Sequence, residues 1–372
     1  MSNRLPLILL LVTLFLQSAD ACQVPVFRYA LERWEADTFR LQVVHRDPLP
    51  AGLKTRLDTL AEQLTNAPPP TNLELEILDA SNLTEAQQLS TVGLERVTSY
   101  PAILLHPPES WAGTPPLVLD ATTTTVDQVL QSPARQRCVD ALIAGESTVW
   151  LLVESGDPDT DNAALKRLQQ GLEAARAEIE LPEGVIRQED IGNIGNEVNL
   201  DDVLRSSIPL KISFKIERLN RTDPAEQIFL QLLTGPTGVN TTEPLLIPIF
   251  GRGRTPGPVP AAAVTPQRIV QACAYLCGAC SCQVKSGNPG YDLLFTAAWH
   301  DHLQDGLVVI DKALPPLTGI GELTQKPTPE PATAPKQPTP PEPASKLWWI
   351  AAATLAVALI TGSLLLTRSS PK

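Results

Sequence analysis

The residues most able to do chemistry are four cysteines set close together. Cys273, Cys277, Cys280 and Cys282 follow a C-x3-C-x2-C-x-C spacing, with His300 and His302 shortly after. Three chemistries are open to such a set. In the first, Cys273 and Cys277 share the apolar stripe of a helix with Ile269 and Leu276, while Cys280 or Cys282 closes a structural disulfide with Cys22. In the second, Cys277/Cys280 or Cys280/Cys282 exchange thiol for disulfide, which would make Cys277, Cys280 and Cys282 catalytic. Against this, a helix C-terminus presents carbonyls, which disfavour a thiolate at Cys277. In the third, Cys280, Cys282, His300 and His302 form a Cys2His2 set suited to zinc or copper. The spacing matches no standard zinc knuckle, and Ser281 after Cys280 rules out a C-x-x-C-H haem attachment. The packing reading is preferred, so no metal or other cofactor is expected.

Two further patterns fall short of a motif. Asp157, Asp159 and Asp161 have the 1,3,5 spacing of an EF-hand loop, but Asn162 stands where the glycine is needed and Leu168 where the final glutamate is needed. They read instead as a charged lead-in to a helix. Gly251-Arg252-Gly253-Arg254 follows a strand and can offer Arg252 and Arg254 to an anion or acidic partner. It is neither a P-loop nor a dinucleotide fingerprint, and a turn with solvated arginines is the simpler expectation. No GxSxG elbow, HExxH or kinase set is present.

The elements that must position these groups alternate strands with helices. After an opening helix over Phe27 to Trp34, strands are expected at Phe39 to His45, Leu73 to Ile77, Ala102 to His106 and Leu117 to Leu119. Helices are expected over Leu53 to Leu64, Thr84 to Val97 and Val126 to Leu142, the last interrupted by Pro133. A second series opens with strand Thr148 to Glu154 and a helix carrying Leu165, Leu168, Leu172, Ala175 and Ile179 on one face. Strands at Leu210 to Ile216, Ile228 to Leu233 and Leu245 to Phe250 follow. They lead to a helix with Thr265 as N-cap, Pro266 at its first position and Gly278 just past its end.

The order βαβαββα, with Pro101 just before the third strand, resembles the thioredoxin fold. The resemblance implies a cis proline at Pro101 and two tandem thioredoxin-like modules, since the second series repeats much of the first. It does not carry the family's redox chemistry. The family's C-x-x-C sits in the loop after the first strand, and here that loop is His45-Arg46-Asp47-Pro48-Leu49-Pro50.

Both ends of the chain carry apolar segments. A short run, Leu5 to Leu16, behind Arg4 and before Ala19-Asp20-Ala21, reads as a cleaved secretory signal peptide over residues 1–21. Residues 347–367 carry no charge and as a helix would span about 31 Å, enough for a bilayer core of about 30 Å. This segment reads as a transmembrane helix with residues 368–372 as a cytoplasmic tail, since Arg368 and Lys372 follow it. The proline-rich stretch within residues 314–345 is a tether with too few apolar groups to fold. Residues 22–145 and 146–313 are then the two extracytoplasmic modules, the second with the cysteine-rich segment. The net charge of −12 argues against nucleic acid.

Three segments are similar to a family of exported, membrane-anchored bacterial proteins: Cys22-Gln-Val-Pro-Val-Phe-Arg-Tyr-Ala-Leu-Glu-Arg-Trp34, Phe250-Gly-Arg-Gly-Arg254, and Cys280-Ser-Cys-Gln-Val-Lys285 with Asn288-Pro-Gly290. The similarity brings no activity with it. The expectation is an α/β protein of two tandem thioredoxin-like modules plus a C-terminal transmembrane helix. It would sit in the cell membrane as a single-pass binding or scaffold protein, its ectodomain periplasmic or extracellular and its partner another envelope protein. An envelope thiol-disulfide oxidoreductase and a zinc- or copper-binding protein are the alternatives.

Overall fold

Two four-stranded sheets carry the structure, and they are wired alike. The computed structural model describes residues 22–303 apart from 66–69, 85–90, 112, 194–198, 240–241 and 281–283. In the first sheet, β1 (Phe39–His45) pairs in parallel with β2 (Leu73–Asp79) and antiparallel with β3 (Ala102–His106). β4 (Leu117–Asp120) completes the order β2-β1-β3-β4. In the second sheet, β5 (Thr148–Val153) pairs in parallel with β6 (Phe214–Leu219) and antiparallel with β7 (Leu245–Ile249). A short ribbon, β8 (Arg254–Thr255), follows, and β9 (Val259–Pro260) pairs with β7 to give β6-β5-β7-β9. The fold is therefore α/β with mixed sheets. The Tyr100–Pro101 peptide bond, just before β3, is cis.

Burial explains which runs became strands. On β1, Phe39, Leu41 and Val43 enter a cluster that also takes Val149, Leu151 and Val153 of β5, so this core is shared by both sheets. Val44 faces a small second cluster with Ala102 and Leu104. The intervening β5 residues Trp150 and Leu152 face a third cluster. β5 is thus buried on both faces, as its unbroken apolar run requires.

The helices α1 (Val26–Arg33), α2 (Ala51–Thr65), α3 (Val126–Leu130), α4 (Pro133–Ile143), α5 (Pro158–Glu178), α6 (Gln227–Thr234) and α7 (Pro266–Cys277) cover the sheets. Their ends follow the local chemistry. Pro133 separates α3 from α4 and starts α4 behind the Ser132 cap, since its ring cannot continue a helix but suits a first turn. Thr265 accepts from Arg268 N at 3.3 Å to cap α7. Asp157 accepts from Thr160 N at 2.9 Å to cap α5, while the buried Asp161 accepts from Ser155 N at 2.7 Å and Gly156 N at 3.1 Å. The acidic triplet is therefore a helix lead-in.

Three expected elements differ. Residues Ile228 to Leu233 are helical, with Phe229, Leu232 and Leu233 buried at i, i+3 and i+4. A short apolar run suits either structure, and Asp223-Pro224 immediately upstream opens a turn that feeds the helix. Ladder pairing of β6 begins at Phe214, so Leu210 and Ile212 pack against the core without joining the sheet. The helix expected over Thr84 to Val97 lies partly outside the described residues, and its described end is a 3-10 turn, Leu94–Arg96.

The ends of the described chain cross over. α1 belongs to the cluster formed by Trp150, Leu168, Leu172 and Cys273 of the second half. Conversely, β10 (Tyr291–Asp292), which pairs with β8, leads into Leu293, Leu294 and Phe295 in the shared core. Asn72, just before β2, accepts from Phe295 N at 3.1 Å and donates to Leu293 O at 3.2 Å. No helix among the described residues is long and apolar enough to cross a membrane; residues 1–21, 314–345 and 347–367, expected as leader, tether and transmembrane helix, lie outside them.

Candidate functional site

The three segments singled out in the sequence meet at one place. Phe250 and Arg254 exchange backbone hydrogen bonds of 3.0 and 2.9 Å, closing a tight turn over Gly251-Arg252-Gly253. Both glycines are obligatory. Gly251 has φ +59 with a Cβ position 2.7 Å from Ala30 Cβ, and Gly253 has φ +100 with a Cβ position 2.5 Å from the Phe295 ring. The turn is wedged between α1 and the returning C-terminal segment.

That wedge aims both arginines inward. Arg252 donates to Leu31 O at 2.8 Å at the C-terminal end of α1 and pairs with Glu35 at 2.6 Å. Arg254 donates to Asp292 Oδ1 at 3.1 Å, Asn288 O at 2.9 Å and Gly290 O at 2.8 Å. Their exposures are 7% and 5%, so the solvated turn is corrected: neither guanidinium is open to an anion or partner. The physical reason is pairing, since a buried cation persists only with its charge answered, and both are answered although Arg254 Nε itself has no partner among the described residues.

Asp292 is the centre of this network. It accepts from Asp37 N at 2.8 Å and pairs with Lys285 as well as Arg254. Lys285 also pairs with Asp37, which accepts from Ser110 Oγ at 2.6 Å. Burial alone would raise the Asp37 carboxyl. Hydrogen bonds from Lys285 and Ser110, with the charges of Lys285 and Arg254, outweigh it and hold Asp37 below the usual carboxylate range.

The cysteines are packed away. Cys273 and Cys277 are fully buried on α7, and burial pushes each thiol up to about 12. Burial also raises Cys22 and Cys138. Cys280 is only 1% exposed although it lies beyond Gly278 and the end of α7, so it is not open to exchange. Its N–H donates to Val24 O at 3.0 Å, so the segment after α7 is zipped onto the chain's first described residues. This zipper brings Cys22 and Cys280 into one cluster, but Cys22 is a thiol whose Sγ donates to Asp201 O at 3.0 Å. The expected Cys22–Cys280 bridge is therefore not formed. Cys282 lies outside the described residues. His300 and His302 sit half-buried at the Trp299–Asp301 turn. Among the described residues, no three Cys, His, Asp or Glu side chains are placed to hold a metal ion.

A feature that sequence reasoning missed is a cleft of about 580 Å³ between the halves. Its floor is apolar: Phe39, Leu105 and Trp111 from the first half, Val153 and Leu232 from the second. Trp111 is fixed by edge contacts with Phe39 and Tyr291, both at 5.2 Å, and donates from Nε1 to Asp292 O at 3.2 Å. The cleft is thereby tied to the ionic network. Arg96 and Arg221 stand on its walls. No family model matches this chain, and no curated protein sequence matches it.

Proposed function

We propose that the chain is an exported binding protein, held to the membrane by residues 347–367, whose two thioredoxin-like modules have no redox role and instead form a binding surface. The observation that carries this reading is the pairing of a large cleft between the modules with thiols that are buried and protonated. Two sheets with identical order and pairing support a duplicated thioredoxin-like unit. The loop after β1 holds no cysteine and neither does the segment after β5, so the position where this fold activates a thiolate is empty of sulfur in both copies. A thiol at about 12 is almost wholly protonated at neutral pH and makes a poor nucleophile. The ligand-sized cleft at a junction of modules is where binding sites concentrate.

The test is thiol-disulfide exchange. The purified full chain, in neutral detergent, should turn over a fluorescent glutathione disulfide no faster than buffer containing the same reductant. Turnover that disappears in Cys280→Ser or Cys282→Ser would overturn the reading in favour of an oxidoreductase.

A further inference from the structure

We infer that the cleft between the two halves is a site for a small organic anion with an apolar, preferably aromatic body, whose acid group is taken by Arg96 and Arg221. This inference rests on the binding reading and names the ligand class.

Charge distribution is the first argument. The chain has 41 acidic residues against 29 basic ones, yet none of the described residues lining the cleft is Asp or Glu and two are arginines. A sampling of this surface at random would favour acid. The second argument is how the guanidiniums are held. Arg96 donates to Pro116 O at 2.9 Å, and Arg221 donates to Glu154 O at 3.1 Å and Glu243 O at 2.8 Å. All three acceptors are backbone carbonyls. These bonds orient the planar groups without neutralising them, and among the described residues neither arginine is in an ion pair, unlike Arg252 and Arg254. A guanidinium keeps five donors in a fixed fork, so each has N–H groups left for a carboxylate, sulfonate or phosphate.

The third argument is the floor. Phe39, Leu105, Trp111, Val153 and Leu232 are each buried at 4% exposure or less, so the cleft bottoms out on close-packed core and not on loose side chains. Trp111 cannot swing away, because its Nε1 is bonded to the Asp292 carbonyl and its ring makes T-shaped contacts with two others. A rigid aromatic surface beside two oriented cations selects an amphipathic acid over an inorganic anion, which would leave the floor wet, and over a neutral apolar molecule, which would leave the guanidiniums unanswered.

The test uses two probes of the same shape, 4-biphenylacetate and the neutral 4-biphenylacetamide, titrated calorimetrically into the full chain in neutral detergent. Wild type should bind the carboxylate about ten-fold more tightly than the amide. Arg96→Gln and Arg221→Gln should each weaken the carboxylate roughly five-fold and leave amide binding unchanged. Inorganic phosphate should not compete at millimolar concentration. Equal affinity for both probes, no binding of either, or indifference to both substitutions overturns the proposal. Carboxylate binding seen only after deletion of residues 326–345 would make the chain's own tether the occupant and also overturn it. The exchange assay does not involve the cleft, so failure of the redox-inactive reading and failure of this one are separable.

Discussion

Replacing Arg254 with methionine keeps an unbranched apolar stem and removes the charge and the donors. The guanidinium is about nineteen-twentieths buried and makes three polar contacts: an ion pair to Asp292 at 3.1 Å and bonds to the carbonyls of Asn288 and Gly290 at 2.9 and 2.8 Å. Removing one partner of a buried ion pair costs about 3–5 kcal/mol. The two stranded carbonyls would add roughly 1 kcal/mol each if water cannot reach them. Lys285 still faces Asp292 and limits the loss, and contributions within one network do not sum. The expected destabilisation is about 4 kcal/mol, or roughly 10 °C in melting temperature for a chain of this size. Urea unfolding followed by circular dichroism measures it, with Arg218→Ala as the control. Arg218 also forms an ion pair, to Glu154, but its side chain is half exposed. That substitution should cost less than about 1 kcal/mol, an amount that salt screens, whereas the Arg254 effect should persist in about 1 M salt. If Arg254→Met costs no more than Arg218→Ala, the Gly-Arg-Gly-Arg turn is not a structural lock and its arginines return as contacts for a partner.

Two further outcomes follow from burial. With thiols at about 12 against 9.0 for an open cysteine, Cys273 and Cys277 should carry about 1,000-fold less thiolate at pH 8 and alkylate correspondingly slowly in the native chain. Mass spectrometry of iodoacetamide-treated peptides checks this, and labelling of either residue at a rate near that of denatured protein would contradict it. His106, whose Nε2 donates to Gln42 Oε1 at 2.5 Å, is lowered to about 4 by burial and by the charge of Arg40. Because the unfolded chain binds this proton more readily, stability should be complete above about pH 6.5. It should fall by at most about 3 kcal/mol as pH drops towards 4, then change no further through this group. Unfolding of wild type and His106→Gln at pH 7.5 and 5.0 isolates the contribution, and identical pH slopes for the two would exclude it.

What was legible in the sequence was local. The alternation from Phe39 to His45 and the apolar run from Ala102 to His106 became β1 and β3 with the same bounds, and Thr265-Pro266 with Gly278 bounded α7. These are period and capping signals, which act within a few residues. The run Ile228 to Leu233 failed because six apolar-rich residues carry too little period to separate strand from helix. The network was invisible for a different reason. Asp37 and Asp292 lie 255 residues apart, and neither belongs to a motif. The turn Gly251-Arg252-Gly253-Arg254 was visible, but its partners were not, and an arginine without its carboxylate reads as solvated. Arg96 ends the 3-10 turn and Arg221 sits in a loop, with nothing in their spacing to mark them. Only the folding of one half against the other puts both on one cleft.

Two sheets of the same wiring that share one apolar core create a problem of specificity. Apolar contact is nearly indifferent to how such faces are rotated or shifted against each other, so a shared core of Val, Leu and Ile would tolerate several arrangements. A buried carboxylate is not indifferent. Asp292 is satisfied only where Arg254, Lys285 and Asp37 N–H converge on it, and although Lys285 is near it in sequence, Arg254 and Asp37 lie 38 and 255 residues away. Buried ion pairs contribute little net stability but penalise every alternative that leaves one of their charges alone. Through its carbonyl, Asp292 also holds the Trp111 indole that floors the cleft. The lock that selects one packing of the halves therefore selects the shape of the cleft between them. Arg254→Met should consequently loosen Trp111 and weaken the binding of 4-biphenylacetate and 4-biphenylacetamide alike. That pattern separates it from Arg96→Gln and Arg221→Gln, which should act on the carboxylate alone.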